Sequence, residues 1–257
     1  MERPTGKAEV LSGAARPVRW GEGRLIWLLA ILVGLMIAYP FFVQRPAVIS
    51  VFNLFQTAAL VVVIFAVCRQ KKEFIPVTGA FMLFAGLSWL DILYLKNPTL
   101  NVLIVPGWAV FYAFAVVAVL SRVKRFRRIT VDEIAGAVSA YILIGLFFTM
   151  LFLWLELLHP GSFEIRAQVN PNKLVDYSDF VLFSFATLTT LGYGDITPLT
   201  HLAQVLSVLE SMIGVLYVAV LVGGLVGMLI SEYLEKRHRA SASASAEPDG
   251  DRYDERR

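Results

Sequence analysis

The run Thr187-Leu188-Thr189-Thr190-Leu191-Gly192-Tyr193-Gly194-Asp195 decides how the rest of the chain is read. Gly192 and Gly194 alternate with bulkier residues, and glycine reaches left-handed backbone angles without a Cβ clash. A segment whose residues alternate in hand turns successive main-chain carbonyls toward one axis. The run follows a short helix-like stretch at 179–189 and lies between two long apolar segments, 131–157 and 199–231. A lone Gly-Tyr-Gly occurs in many soluble turns. Here the flanking segments put it in a membrane.

Of the 257 residues 57% are hydrophobic, and the mean hydropathy is +0.67. That excludes an ordinary soluble domain and fits a chain that lives mostly in lipid. Six segments approach the roughly 20 apolar residues that a bilayer-crossing helix needs: 25–43, 47–68, 74–95, 97–121, 131–157 and 199–231. The first is too long for a cleaved signal and lacks a small-residue cleavage pattern, so it reads as an anchor. Cys68, the single cysteine, allows neither an intrachain disulfide nor a Cys-based metal cluster, and His159, His201 and His238 are scattered. No polar cluster resembles an enzyme's catalytic site.

Lys and Arg counts near the helix ends set the orientation. Arg3, Lys7, Arg16, Arg19 and Arg24 precede the first segment, Arg69, Lys71 and Lys72 follow the second, and Arg122, Lys124, Arg125, Arg127 and Arg128 follow the fourth. The alternate connections carry only Arg45, then Lys96, then Arg166 and Lys173. Both termini are therefore expected on the cytoplasmic side of a cell membrane.

The core Thr190-Leu191-Gly192-Tyr193-Gly194 resembles the selectivity filter of potassium channels, and the resemblance covers about residues 131–231. It implies an all-α membrane protein of six transmembrane helices, with a re-entrant pore helix and filter loop between the fifth and sixth. Its pore domain would comprise an outer helix 131–157, a turret 159–177, a pore helix 179–189, the filter 190–194 and an inner helix 199–231. Carbonyl oxygens of Thr190, Leu191, Gly192 and Tyr193 would replace the water of a potassium ion. Thr190 adds its hydroxyl at the inner end, and the Tyr193 ring wedges outward to hold the loop open. Thr187, Thr189 and Asp195 would support the filter, and no cofactor other than the conducted ion is implied. One loop per chain cannot close a four-fold pore, so the resemblance implies a homotetramer. Three positions depart from the pattern: Leu182 and Phe183 stand where many voltage-gated relatives have tryptophans, and Leu191 replaces the commoner valine.

The first four segments, 25–121, resemble a voltage-sensor domain in count and order. A sensor needs arginines inside the field, because each charge moved through 100 mV is worth about 2.3 kcal/mol. Residues 97–121 carry no charge and contain Pro106-Gly107, read as an interruption. Weak intrinsic voltage dependence is expected. Asp91, the one ionisable group in the third segment, is expected to reach water at the outer boundary. The linker 122–130, with Val123, Phe126 and Ile129 among its basic residues, suits a helix on the inner surface that meets anionic headgroups. The tails, 1–24 and 232–257, read as disordered, the latter with low-complexity Ala240–Ala246 and no room for a ligand-binding domain. Nothing suggests nucleic acid as a partner.

The leading reading is thus a potassium-selective channel conducting passively across the plasma membrane. One alternative is a voltage-gated channel using Asp91 and the Arg122–Arg128 group. The other is a non-conducting regulatory membrane subunit. On the inner helix, Gly214 stands where related channels place a gating hinge, with close packing as the simpler explanation. Glu210, the sole ionisable residue in the apolar run of the sixth segment, lies one helical turn before Gly214. A carboxylate facing lipid there would be costly, so it should face protein. Ser184, Thr187 and Thr189 are the candidate partners through which it would brace the filter.

Overall fold

The computed structural model describes residues 24–42, 57, 58, 61, 63, 74–91, 94, 98–123, 131–165 and 177–245. The tail before Arg24, most of the 47–68 segment, the basic run 124–130, turret residues 166–176 and the chain after Ser245 lie outside the described residues.

In chain order the elements are α1 (Arg24–Phe42), α2 (Phe74–Leu90), α3 (Pro98–Val123), α4 (Val131–Leu158), β1 (Phe163–Ile165), α5 (Tyr177–Leu188), β2 (Ile196–Pro198) and α6 (His201–Ser245). Among the described residues three stretches are long and apolar enough to cross a membrane: Leu100–Ser121, Val131–Leu158 and His201–Leu221. Helix is the form that satisfies every backbone group within one segment, which lipid demands.

Helix α4 is the hub, packing against α1, α3, α5 and α6. One apolar core joins α1, α2, α3 and α4 through Leu25, Ala85, Phe111, Tyr112 and Leu143. A second joins α4 to the short helix and α6 through Phe148, Phe152, Phe180, Leu188 and Ala203. Asp132, in the first turn of α4, accepts hydrogen bonds on Oδ1 from Leu25 N at 2.9 Å and Ile26 N at 3.2 Å. The start of α1 is thereby capped by another helix, and the two N-termini share one end of the bundle.

Three expectations are corrected. Pro106-Gly107 does not interrupt α3, which runs unbroken through Pro106. Proline there removes the N–H that would bond Val102 O, four residues earlier. That carbonyl instead accepts Trp154 Nε1 at 3.1 Å, so α4 supplies the missing donor. Asp91 does not reach water: it is only 4% exposed, held within the packed bundle. The all-α expectation holds, and beside the helices stands one small sheet, in which β1 and β2 pair antiparallel with Phe163 opposite Pro198, Glu164 opposite Thr197 and Ile165 opposite Ile196. Finally, α6 continues to Ser245 rather than giving way to a disordered tail at 232. Leu234, Glu235, Lys236, Arg237 and Ala240 are good helix formers, and neither proline nor glycine intervenes before Pro248.

Candidate functional site: the loop after α5

Helix α5 buries Phe180, Ser184, Ala186 and Leu188 and ends at the stretch singled out by sequence. It begins at Tyr177 and ends at Leu188. The loop's backbone alternates in hand: φ is +59° at Thr190, +56° at Gly192 and +74° at Gly194. Residue type accounts for the two glycines. Thr190 is β-branched and holds a left-handed angle that costs an L-residue about 1–2 kcal/mol, so its surroundings must enforce it.

The enforcement comes from the N–H groups. Thr190 N donates to Thr187 O at 3.0 Å, Leu191 N to Ala186 O at 2.7 Å and Gly192 N to the same Ala186 O at 3.1 Å. Three successive donors are thus folded back onto the end of α5. Among the described residues, the carbonyls of 190–194 accept no hydrogen bond. They form a row of strong acceptors without donors, which water or a cation must satisfy. Leu191 and Tyr193 are 58% and 68% exposed, so the loop's open side finds no cover within one chain. Below Thr190, an apolar recess of about 350 Å³ is lined by Ser211, Met212, Val215 and Leu216 of α6.

Behind the loop, the last turn of α5 is held from two helices. Tyr141 Oη of α4 donates to Leu188 O at 3.2 Å, and Ser211 Oγ of α6 donates to Thr187 O at 2.9 Å. Gly214 lies beside that same carbonyl, and a Cβ on it would sit 2.0 Å from Leu188 O. The absence of a side chain at 214 is what lets α6 approach. Glu210 is fully buried, and of its three candidate partners it meets Ser184. Thr189 Oγ1 turns back to Phe185 O at 2.7 Å, and Thr187 contributes its carbonyl.

The Glu210 contact belongs to a chain. Ser184 Oγ lies 2.5 Å from Glu210 Oε1 and 2.7 Å from Gly145 O of α4. A hydroxyl has one proton to donate, and a carbonyl only accepts. Ser184 therefore joins all three helices, with α5 between α4 and α6.

On the other side, Asp195 leads from the loop into β2 and is half-buried. Where relatives place tryptophans, Leu182 is exposed, while Phe183 packs edge-on against Phe152 at 5.0 Å and Phe163 at 5.5 Å. Arg122 lies in the last turn of α3, and Lys124, Arg125, Arg127 and Arg128 fall outside the described residues. Sequence reasoning missed Tyr141, Ser211 and the left-handed Thr190. Ser211 had a signal, being the polar neighbour of Glu210 on a helix otherwise apolar at that depth. Tyr141 had none short of the register between two helices.

Comparison with known proteins gives the following. The profile of a family described as ion channel matches residues 136–231. The chain is 34% identical over 67 residues to potassium channel protein kcv of Paramecium bursaria Chlorella virus 1, covering 26% of this chain and 71% of that protein. It is 38% identical over 71 residues to two pore potassium channel c of Oryza sativa subsp. japonica, covering 28% of this chain but only 15% of that protein. No solved structure matches.

Proposed function

The chain belongs to the potassium channel family, and from that premise we propose that four copies of it form a potassium-selective pore across the plasma membrane. One observation carries the reading. Residues 190–194 alternate in backbone hand, the N–H groups of Thr190, Leu191 and Gly192 go to α5, and among the described residues the carbonyls of 190–194 find no donor. Four such rows around one axis would offer an ion oxygens in place of its hydration shell. In this reading Thr190, Leu191, Gly192 and Tyr193 bind the conducted ion, α5 is the re-entrant pore helix, and α4 and α6 are the outer and inner helices. The C-terminal end of α5 faces the recess below Thr190, where its partial negative charge favours a cation.

Assembly is supported by what one chain leaves uncovered. On α6, Val205, Val208, Leu209, Met212, Val215 and Leu216 are all exposed, as are Leu191 and Tyr193 of the loop. Lipid accounts for part of such a surface, but a loop at pore depth requires protein or water-filled cavity beside it. The chain is expected to cross the bilayer six times with both termini cytoplasmic and the loop at the outer mouth. Voltage dependence should be weak, because α3 carries no charge between Pro98 and Leu120. The test is purified protein in liposomes under stepped membrane potential, with native mass spectrometry of the same preparation. Tetramers that pass potassium with shallow voltage dependence support the proposal. Steep voltage dependence would instead favour a sensor built on Asp91 and the Arg122–Arg128 group, and tetramers without flux a regulatory subunit.

A further inference from the structure

The inner end of the loop is held by α5, and its outer end runs into β2, which pairs with β1 and meets the start of α6, where Gln204 Nε2 donates to Pro198 O at 3.3 Å. Leu199 N donates to Ser162 O at 2.8 Å and Thr200 N to the same oxygen at 3.4 Å. Hydrogen-bonded and non-bonded pairs alternate along an antiparallel ladder. Counting from Ser162 and Leu199, Glu164–Thr197 is the bonded pair, and Pro198, which has no N–H, falls at a position that needs none.

Strand β1 is in turn fastened to the end of α4. Glu156 Oε1 accepts from Gly161 N at 2.7 Å and Oε2 from Phe163 N at 3.2 Å, so both carboxylate oxygens hold the turn that starts the strand. Ser162 Oγ donates to His159 O at 2.7 Å within that turn. Phe163 then drives into the aromatic group behind the loop, with ring centroids 5.6 Å from Phe152 and 5.0 Å from Phe180. The contacts therefore run without a gap from α4 through Glu156, β1 and β2 to Asp195 and Gly194.

We propose that Glu156 is a positioning residue for the outer end of the ion-binding loop, acting through the β1–β2 pair rather than by touching the ion. This rests on the reading of 190–194 as a filter. A carboxylate accepting two backbone N–H groups makes charge-assisted bonds, stronger than the neutral ones elsewhere in the turn. Without it, β1 keeps its aromatic anchor but loses the restraint on its first residue, and the outer loop gains conformations whose carbonyls no longer converge. Bound potassium opposes this, because an ion that binds only the converged state stabilises it by mass action.

The experiment uses the full-length protein in lipid bilayers, comparing the parent with Glu156→Gln and Glu156→Ala. Glu156→Ala removes both charge-assisted hydrogen bonds and is expected to lower the potassium-to-sodium permeability ratio by at least roughly tenfold, the worth of one such bond expressed as a ratio. Raising external potassium should restore it. Glu156→Gln, which keeps one acceptor oxygen, should fall between the two. A residue that only caps a turn would alter thermal stability without this ion-dependent rescue. Assembled Glu156→Ala channels with the parent's ratio at low and high potassium would overturn the proposal. If Glu156→Ala does not assemble, Glu164→Pro decides: it removes a ladder donor at an exposed residue, and parent-like selectivity there overturns the proposal equally. If the parent passes no potassium, the proposed function has failed, and amide exchange at Thr197 and Leu199 judges the contact. Glu156→Ala should then speed that exchange roughly tenfold, and unchanged exchange would refute the restraint.

Discussion

Replacing Gly214 with alanine separates two accounts of α6. A Cβ at 214 would lie 2.0 Å from Leu188 O and 3.0 Å from its carbonyl carbon, and both are backbone atoms that no rotamer change can move. Reaching an ordinary contact of about 3.5 Å requires α6 and the end of α5 to part by about 1.5 Å. Overpacking of this kind costs about 1–3 kcal/mol, against a gain of at most about 1 kcal/mol from alanine's helix propensity. The net loss of up to about 2 kcal/mol per chain is up to about thirtyfold in an equilibrium. It falls on the turn that carries the Tyr141–Leu188 and Ser211–Thr187 hydrogen bonds behind the loop. Reversal potentials in mixed potassium and sodium, with thermal melting of the tetramer, give the readout. Reduced ion preference together with a lower melting temperature is expected. A hinge at Gly214 predicts something else, altered open probability with ion preference intact, and that result would refute the packing argument.

Glu210→Ala should destabilise the protein by about 2–4 kcal/mol, through a buried cavity and a lost partner for Ser184, whereas Glu210→Gln, which keeps a hydrogen-bonding group beside the Ser184 hydroxyl, should melt near the parent. Asp132→Ala removes the acceptor for Leu25 N and Ile26 N and should cost about 1 kcal/mol, visible as faster amide exchange at those two residues and largely restored by Asp132→Asn. Gly194→Ala places a side chain at φ +74°, a strain of about 1–2 kcal/mol, and should abolish selectivity in channels that still assemble as tetramers on native gels.

Much of the site was legible because chemistry dictates residue type there. Only glycine takes φ values like those of Gly192 and Gly194 at no cost, so their alternation could be read directly. The ends of α4 also follow from local signals: Asp132 and Glu133 in its first turn, and Pro160-Gly161 just beyond its last. What escaped depends on register between segments distant in sequence. Ser184, Thr187 and Thr189 were equal candidates for Glu210 until the relative rotation of α5 and α6 was known. Pro106 looked like a break because the donor that replaces its missing N–H, Trp154, lies on another helix. Strands β1 and β2 are three residues each, too short for an alternating pattern to show. Asp91 was placed by distance from the segment's end, but its burial follows from lateral packing, which hydropathy does not encode.

The central claim is that the carbonyls of 190–194, left without donors among the described residues, bind potassium in preference to sodium when four chains meet. The direct measurement is the reversal potential of this protein alone in a planar bilayer, with potassium on one side and sodium on the other. A reversal potential far toward the potassium equilibrium value, lost in Gly194→Ala, is predicted. A reversal potential near zero in the intact protein, meaning equal passage of both ions, would contradict the account.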